Sequence, residues 1–288
     1  LGLLQSELGL DLPFFLNIIT FIILINLSKK QPELLEKGLL IFATSTFILS
    51  FLYFFRIGIS FVIDSQRYTI FNINANELGV RTSISLLVFI RYIIESKAKS
   101  RLIKTLTIIA LLFLLKMLIS TGSRVAFIAF LLSLLLYVFY NKNLPRLKKY
   151  TLKFSLSIML FFSWVFILKD SLIVSRMFNT LYNSDLSSRD LIWSSILEII
   201  PENYLWGIGR TGYEYRITDY FEDVLSPHNV FIEVMCYTGL IGLIIFCVFL
   251  IKIFNRALEK RKKYNEIIPL VLFVHLLGMI LSGQIFAP

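Results

Sequence analysis

Long apolar runs separated by short polar segments fill most of this sequence. Eight of them approach or exceed the roughly 17–25 residues that a helix needs to cross a bilayer. They occupy residues 12–27, 38–61, 78–94, 102–120, 124–140, 150–168, 229–251 and 267–286. The pattern predicts an all-α, polytopic membrane protein in which residues 1–288 form a single integral membrane domain. The 57% hydrophobic content agrees, because soluble domains contain about 45–50% apolar residues.

Lysine and arginine mark every second loop. They are concentrated in loops 28–37, 91–104, 141–153 and 252–266. Because the cytoplasmic loops of membrane proteins carry an excess of these residues, we expect these four loops to be cytoplasmic. Loops 62–77, 121–123 and 169–228 are then expected to face outward. The net charge of +10 therefore indicates topology, and it does not favour nucleic-acid binding.

One long polar stretch, residues 187–242, interrupts the apolar pattern. Ser187 or Ser188 is a candidate cap for a helix that Pro201 ends. The apolar positions of this helix form one stripe, which predicts that it lies along the membrane surface. These positions are Ile192, Trp193, Ile196, Leu197 and Ile200.

The basic residues of the outward loops are almost all arginine, whose planar fork binds phosphate with two parallel hydrogen bonds. These arginines are Arg67, Arg124, Arg176, Arg189, Arg210 and Arg216. Arg67 precedes an asparagine-rich helix start, Arg124 follows a tight turn, and Arg189 lies in the first turn of the predicted surface helix, near free backbone N–H groups. The alternatives are snorkelling for Arg124 and pairing with nearby carboxylates for the others. Those carboxylates are Asp185, Asp190, Glu214, Asp219, Glu222 and Asp223.

His228 is one of only two histidines, and it lies in the sequence SPHN at residues 226–229. Serine before proline predicts a helix start with Pro227 at the first helical position. The helix dipole would then lower the pKa of His228 and favour the neutral imidazole, which can act as a general base. The alternative is a histidine that caps the turn. Glu233 is a weaker candidate for a functional residue. A carboxylate within a membrane helix is a functional candidate by default, but Glu233 is near the outer end of its helix, where its side chain can also reach polar surroundings.

The remaining chemically suggestive residues receive structural interpretations. His275 lies in the middle of an apolar run and is expected to make an interhelical hydrogen bond. Cys236 and Cys247 lie in one predicted helix, so packing is favoured over a disulfide or a metal site. Residues 207–212 match GxGxxG by letter, but neither a strand nor a βαβ unit surrounds them. We expect these glycines to let the backbone turn sharply, close to a ligand.

Five motifs together resemble the O-antigen ligase and O-antigen or capsule polymerase superfamily of bacterial envelope glycosyltransferases. They are RYTIFNINANELG at 67–79, TGSR at 121–124, SRDLIW at 188–193, Pro201 with WGIGRTGY at 206–213, and SPHNVFIEVMCYTGLIGL at 226–243. The resemblance depends on the order of the motifs along the chain and on their shared position on one side of the membrane, more than on any single motif. The family has more spans than the eight predicted here, so the resemblance implies that this chain lacks several N-terminal helices.

The resemblance implies an enzyme of polysaccharide biosynthesis, for lipopolysaccharide or capsule, in the bacterial cytoplasmic membrane. Its donor is a glycan linked to undecaprenyl diphosphate, and its acceptor is a sugar hydroxyl on a glycan or lipid. The reaction occurs on the periplasmic or exterior side, with residues 169–228 as the catalytic loop, and uses neither a metal nor a cofactor. By motif, Arg67, Arg124 and Arg189 correspond to diphosphate contacts and His228 to the base, with Arg210 and Arg216 as weaker additions. A chain-length regulator protein is a further candidate partner.

A second class of function remains open, namely a flippase for lipid-linked oligosaccharides or another transporter without catalysis. Such proteins place charges in cavities at the middle of the membrane, lined by broken helices. In this sequence the distinctive charges gather on one face of the membrane, which favours catalysis at the interface. Polymerase and ligase differ in their acceptor, and the motifs do not separate them. The composition, rich in Lys, Ile, Phe and Asn, favours a polymerase from a source that makes capsule.

Overall fold

The computed structural model describes residues 31–62, 67–95, 100–141 and 189–282, together with a few isolated positions. Within these ranges the chain forms eight α-helices and one β-hairpin. The elements are α1 (Pro32–Phe54), β1 (Ile59–Val62), β2 (Arg67–Ile70), α2 (Ala75–Ile94), α3 (Arg101–Ser120), α4 (Arg124–Tyr140), α5 (Arg189–Ile199), a 3₁₀ turn (Ile200–Asn203), α6 (Gly209–Ile217), α7 (Val230–Tyr264) and α8 (Ile268–Ser282). The mostly helical architecture is therefore confirmed.

Three described helices, α1, α3 and α7, are long and apolar enough to cross a membrane. The apolar helices α4 and α8 are shorter, and α2 has 20 residues but carries Glu77, Arg81 and Arg91. Each of these six helices overlaps a predicted span. The predicted spans 12–27, for most of its length, and 150–168 lie outside the described residues. The count of eight spans therefore stays a prediction.

The predicted span 38–61 combines two different elements. Helix α1 ends at Phe54, and the chain continues through Gly58 into the antiparallel hairpin β1–β2, in which Ile59 pairs with Ile70. Gly58 has φ +69°, and a β-carbon there would lie 2.3 Å from the ring of Phe71, so the turn requires glycine. Hydropathy alone could not separate the helix from the strand, because both are apolar.

The predicted cytoplasmic loop 252–266 is also corrected, since α7 continues through most of it to Tyr264. The segment is rich in lysine, arginine and glutamate, which are good helix formers. Asn265 ends the helix in the left-handed conformation with φ +57°.

The helices pack in two regions. The helix bundle consists of α1–α4 and α8, whose apolar faces share one large core. Helices α2, α4 and α7 begin at one end of the bundle, here called the arginine end because Arg67 and Arg124 lie there. The opposite end, where α3 and α8 begin, is called the lysine end.

The second region, here called the small unit, consists of α5, the 3₁₀ turn, α6 and residues 230–238 of α7. Its core is formed by inward-facing residues of all three helices, namely Ile192, Ile196, Ile199, Tyr213, Ile217 and Cys236. Helix α5 was predicted to lie along the membrane surface, and that placement stays a prediction. Its apolar stripe is partly covered by the protein itself, because Ile192 and Ile196 are buried, whereas Leu197 is exposed. A stripe shows only that a helix has an apolar face, and packing decides what covers it.

Helix α7 is kinked at Gly239, which has φ +67° and ψ −167°. Residues 204–208 pack against the kink. The Leu240 N–H donates to the Tyr204 carbonyl at 2.7 Å, and the Ile208 N–H donates to the Cys236 carbonyl at 2.8 Å. A β-carbon at Gly239 would lie 2.3 Å from the Leu205 carbonyl, so the two backbones can meet only at glycine.

Candidate active site

Arg67 begins strand β2 and is buried at the arginine end. Its Nη1 donates to Oδ1 of Asn76 at 3.1 Å. Asn74 caps α2, and its side chain accepts from the Asn76 N–H at 2.8 Å. The asparagine-rich segment therefore forms the expected helix cap. It also places an amide side chain against the Arg67 guanidinium, which limits the directions in which that guanidinium can point.

Arg124 is the first residue of α4 and follows the turn at residues 121–123. Ser123 caps the helix by accepting from the Ala126 N–H at 3.4 Å. The turn packs closely on α2, because a β-carbon at Gly79 would lie 2.9 Å from the β-carbons of Ser123 and Ala126. This contact places the start of α4 beside the first turns of α2, close to the segment that positions Arg67.

His228 comes two residues before α7, and Asn229 caps the helix with its side chain. The prediction that Pro227 is the first helical residue is therefore wrong, although His228 does lie at the helix start. His228 has φ +49°, a left-handed conformation that is uncommon for a residue other than glycine. Because such a conformation costs free energy, surrounding contacts must hold it.

Two aromatic side chains hold the segment that leads into His228. Nε1 of Trp193, on α5, donates to the Pro227 carbonyl at 2.8 Å. The hydroxyl of Tyr213, on α6, donates to the Leu225 carbonyl at 2.5 Å. The sequence pattern indicated only an apolar role for Trp193. Tyr213 was not predicted to be a site residue. The available signal was weak, since it consisted only of aromatic residues with polar donors near a candidate base.

The four main candidates act on one another electrostatically. Burial lowers the pKa of His228, and the positive charges of Arg189 and Arg67 lower it further. Burial also lowers the pKa of Arg189, as does the charge of Arg124. The structure therefore brings together Arg67, Arg124, Arg189 and His228 from four separate segments. The lowered pKa of His228 agrees in direction with the expectation, and burial is its largest cause, followed by the charges of Arg189 and Arg67.

The weaker arginine candidates have carboxylate partners on or near their own helix. Arg210 Nε lies 2.7 Å from Oε1 of Glu214, and Arg216 lies 3.7 Å from Asp219. These pairs match the alternative interpretation of surface ion pairing. Glu233, in the first turn of α7, is completely buried. The expected partners of Arg189 are not described: Asp185 and the side chain of Asp190 lie outside the described part of the structure, as does Arg176.

Two further expectations can be compared with the geometry. Nδ1 of His275 lies 3.3 Å from the Ser133 hydroxyl on α4, so the predicted interhelical hydrogen bond is confirmed. Gly207, in the GxGxxG segment, approaches the backbone of α7 rather than a ligand, since a β-carbon there would lie 2.6 Å from the Cys236 carbonyl oxygen. Within the described residues, no group of three or more His, Cys, Asp or Glu side chains is suited to hold a metal ion.

A comparison with known proteins found a match over part of the chain. A family model described as O-antigen ligase matches residues 108–247. The match includes Arg124, Arg189 and His228, whereas Arg67 precedes it. No match was found among the curated proteins. Together with the apolar helices, the family match indicates a membrane protein of polysaccharide biosynthesis, and it supports the resemblance to the O-antigen ligase and polymerase superfamily.

Proposed function

We propose that this protein transfers a glycan from undecaprenyl diphosphate to an acceptor sugar hydroxyl, on the outer face of the bacterial cytoplasmic membrane. The family match supports an enzyme of the ligase and polymerase type in general. In this proposal the arginine end faces the periplasm or cell exterior, which agrees with the lysine-rich opposite end. The reaction releases undecaprenyl diphosphate and uses neither a metal nor a cofactor.

The observation that carries the proposal is the half-buried cluster of arginines around His228. Burial and the neighbouring Arg124 both disfavour the charge of Arg189, as its lowered pKa records. A bound anion would relieve this unfavourable environment. A diphosphate suits the cluster because several guanidinium groups can each form two hydrogen bonds to its oxygens. We assign Arg67, Arg124 and Arg189 to that role.

His228 is assigned as the general base. Its lowered pKa keeps the imidazole neutral near pH 7, so a ring nitrogen has a lone pair that can accept a proton. As the acceptor hydroxyl loses its proton to His228, its oxygen attacks the anomeric carbon of the donor glycan. The bond from that carbon to the diphosphate oxygen breaks, and undecaprenyl diphosphate leaves with the bonding electrons. A single displacement of this kind inverts the configuration at the anomeric carbon.

The arginines supply the electrostatic part of catalysis. Negative charge develops on the diphosphate oxygen as the bond breaks, and preorganised guanidinium groups stabilise it. The leaving group therefore needs no proton donor. Arg210 and Arg216 are weaker candidates for stabilising the leaving group, since both form ion pairs with carboxylates of their own segment. Glu233 remains the next candidate for the base.

The acceptor decides between the two enzyme types. A polymerase transfers the growing glycan to another lipid-linked repeat unit, whereas a ligase transfers it to a lipid A core or another envelope acceptor. We favour the polymerase on the composition of the sequence alone. In that case a separate chain-length regulator is a candidate partner.

One observation favours the transporter alternative. Helix α7 is broken at Gly239, and broken helices often line the substrate sites of transporters. In such sites the interrupted backbone is available to ions or substrate. In α7, however, residues 204–208 donate to and accept from the backbone groups at the kink. The break therefore serves contact within the protein, and the transferase remains the better-supported function.

The test uses the full-length protein in liposomes with an undecaprenyl diphosphate-linked repeat unit. Free undecaprenyl diphosphate and glycan size are followed for the wild type, for His228→Gln and for His275→Gln. The second histidine is a matched control because it lies on α8 and packs against Ser133 of α4, away from the cluster. We expect lipid release from the wild type and His275→Gln, and a loss of about 10²–10⁴-fold for His228→Gln, as removal of a general base causes.

Each outcome separates the alternatives. A ladder of glycan sizes indicates a polymerase, and a product that forms only with an added acceptor indicates a ligase. Equal release by the wild type and His228→Gln would retain the enzyme but reject His228 as its base. Absence of release from the wild type with its native substrate would contradict the transferase and favour the transporter.

A further inference from the structure

Three consecutive residues next to the kink expose large apolar surfaces. Tyr204 is 53% exposed, Leu205 40% and Trp206 67%. They form the 204–206 loop, which connects the 3₁₀ turn to α6 through Gly207 and Ile208. Exposed apolar surface of this size, concentrated on adjacent residues, usually indicates an interaction surface.

The loop is fixed to helix α7 through its backbone. Besides the bond from the Leu240 N–H to the Tyr204 carbonyl, the Ile241 N–H donates to the Leu205 carbonyl at 3.4 Å. The loop therefore cannot move far from the kink without breaking these bonds. Its exposed side chains have a defined position on the surface of α7.

This surface continues into the exposed apolar face of α7 beyond the kink. That face includes Leu240, Ile241, Ile244, Ile245, Val248 and Phe249. Helix α7 is long and apolar enough to cross a membrane, so an exposed apolar face on it is expected to contact lipid. The 204–206 loop extends the same face at its arginine end.

The depth of the loop in the membrane follows from helix geometry. Gly239 is 13 residues before Lys252, the first basic residue at the lysine end of α7, which corresponds to about 20 Å of helix at 1.5 Å per residue. The hydrocarbon core of a bilayer is about 30 Å thick. With Lys252 near one boundary of the core, Gly239 lies within the opposite leaflet. Residues 204–206, which are bonded to residues 240 and 241, then lie in the same leaflet, about 10 Å inside its outer boundary by the same count.

We propose that the 204–206 loop inserts into the membrane leaflet at the arginine end, and that lipid is its partner. The indole of Trp206 lies among the upper acyl chains, below the headgroups, with Leu205 and Tyr204 beside it. Tryptophan suits this position because its ring is apolar and its N–H can reach polar groups. The loop thereby attaches the small unit to the bilayer surface at a fixed height.

This attachment has a consequence that rests on the proposed function. Helices α5 and α6 hold the segment leading to His228 through Trp193 and Tyr213. A small unit attached at the interface keeps Arg189 and His228 near the height of lipid headgroups. A diphosphate joined to a membrane-embedded polyprenol lies at that height.

The test measures lipid contact by fluorescence and does not depend on activity. The chain contains three tryptophans, so wild type, Trp206→Phe and Trp193→Phe are compared in vesicles of phosphatidylcholine brominated on the upper acyl chain. Bromine quenches tryptophan at short range. We expect Trp206→Phe to remove a bromolipid-quenched part of the emission, and Trp193→Phe to remove a part that bromolipid leaves unchanged.

A second quencher makes the experiment decisive. Acrylamide in the aqueous phase quenches water-exposed tryptophan, and the proposal expects little difference between the acrylamide quenching of wild type and that of Trp206→Phe. The inference is overturned when Trp206→Phe leaves bromolipid quenching unchanged but lowers quenching by acrylamide, because the ring then faces water. Failure of the glycan-transfer assay would leave this result unaffected, so the two proposals fail separately.

Discussion

In the helix bundle, most hydroxyl side chains donate to carbonyls of their own helix, as Thr82 does to Leu78 at 2.6 Å. In the small unit, Trp193 and Tyr213 instead donate to carbonyls far along the chain, at Pro227 and Leu225. The bundle depends on a large apolar core that many residues share. The small unit has a core of six buried residues and depends more on a few specific bonds.

The difference teaches where the chain tolerates change and where it does not. The bundle has a large core in which each contact is one of many. Substitution of a surface residue on the bundle is therefore expected to change the free energy of unfolding little. In the small unit two side-chain hydrogen bonds, from Trp193 and Tyr213, hold the backbone beside the candidate base. The charged cluster joins the two regions, since Arg67 and Arg124 come from the bundle, and Arg189 and His228 from the small unit or its edge.

The largest effect is expected where the two regions meet. Arg124→Met removes one guanidinium from the cluster, and we expect the initial rate of undecaprenyl diphosphate release to fall on the order of 10²–10³-fold, as loss of one preorganised charge-stabilising group does. Arg81→Met is the matched control, because Arg81 forms an ion pair with Glu77 on its own helix and is half-exposed. Equal losses for both variants would contradict the special role of the cluster.

The next effect concerns the kink that attaches the small unit to α7. Gly239→Ala should lower the midpoint of thermal unfolding in detergent, because φ +67° with ψ −167° is a conformation that essentially only glycine adopts, and it costs on the order of 1–3 kcal/mol with a β-carbon. The new atom would also meet the Leu205 carbonyl. Gly38→Ala in α1 is the control, since no atom lies within 4 Å of its added β-carbon. The control should unfold at the same or a higher temperature, as alanine favours a helix.

A smaller effect is expected from a single hydroxyl. Tyr213→Phe leaves the Leu225 carbonyl without its donor, and we expect the release rate to fall about 2- to 10-fold, which corresponds to the 0.5–1.5 kcal/mol net value of a hydrogen bond. Tyr215→Phe, at an exposed position on the same helix, is the control and should behave as wild type. A Tyr213→Phe variant with wild-type rate would show that the segment before His228 is held by other contacts.

The smallest effect is a shift in pH dependence. A general base loses activity as the pH falls through its pKa, so the lowered pKa of His228 extends activity to more acidic pH. Arg189→Gln removes a positive charge that lowers this pKa. The acidic limb of kcat/KM should therefore move to higher pH, whatever the change in rate. An unmoved limb would contradict His228 as the titrating group or Arg189 as its neighbour.

Prediction from sequence succeeded where one physical signal was sufficient. Helix α4 begins and ends at residues 124 and 140, as predicted, because a serine cap and a polar turn bound its apolar run. The asparagine cap of α2 followed from short polar side chains before a helix. The candidate cluster was assembled from motif resemblance and charge type rather than from periodicity. No pattern along the chain measures the proximity of Arg67 to His228, which are 161 positions apart.

The sequence by itself determined the apolar helices, the basic segments at one end of them and the family resemblance, since each depends on composition or order along the chain. Tertiary structure alone decided the inward face of α5, the contact between Gly207 and the α7 kink, and the aromatic donors that hold the segment before His228. These features depend on which backbones approach each other. Such an approach is set by packing across many residues, and a local pattern of hydrophobic and polar positions does not record it.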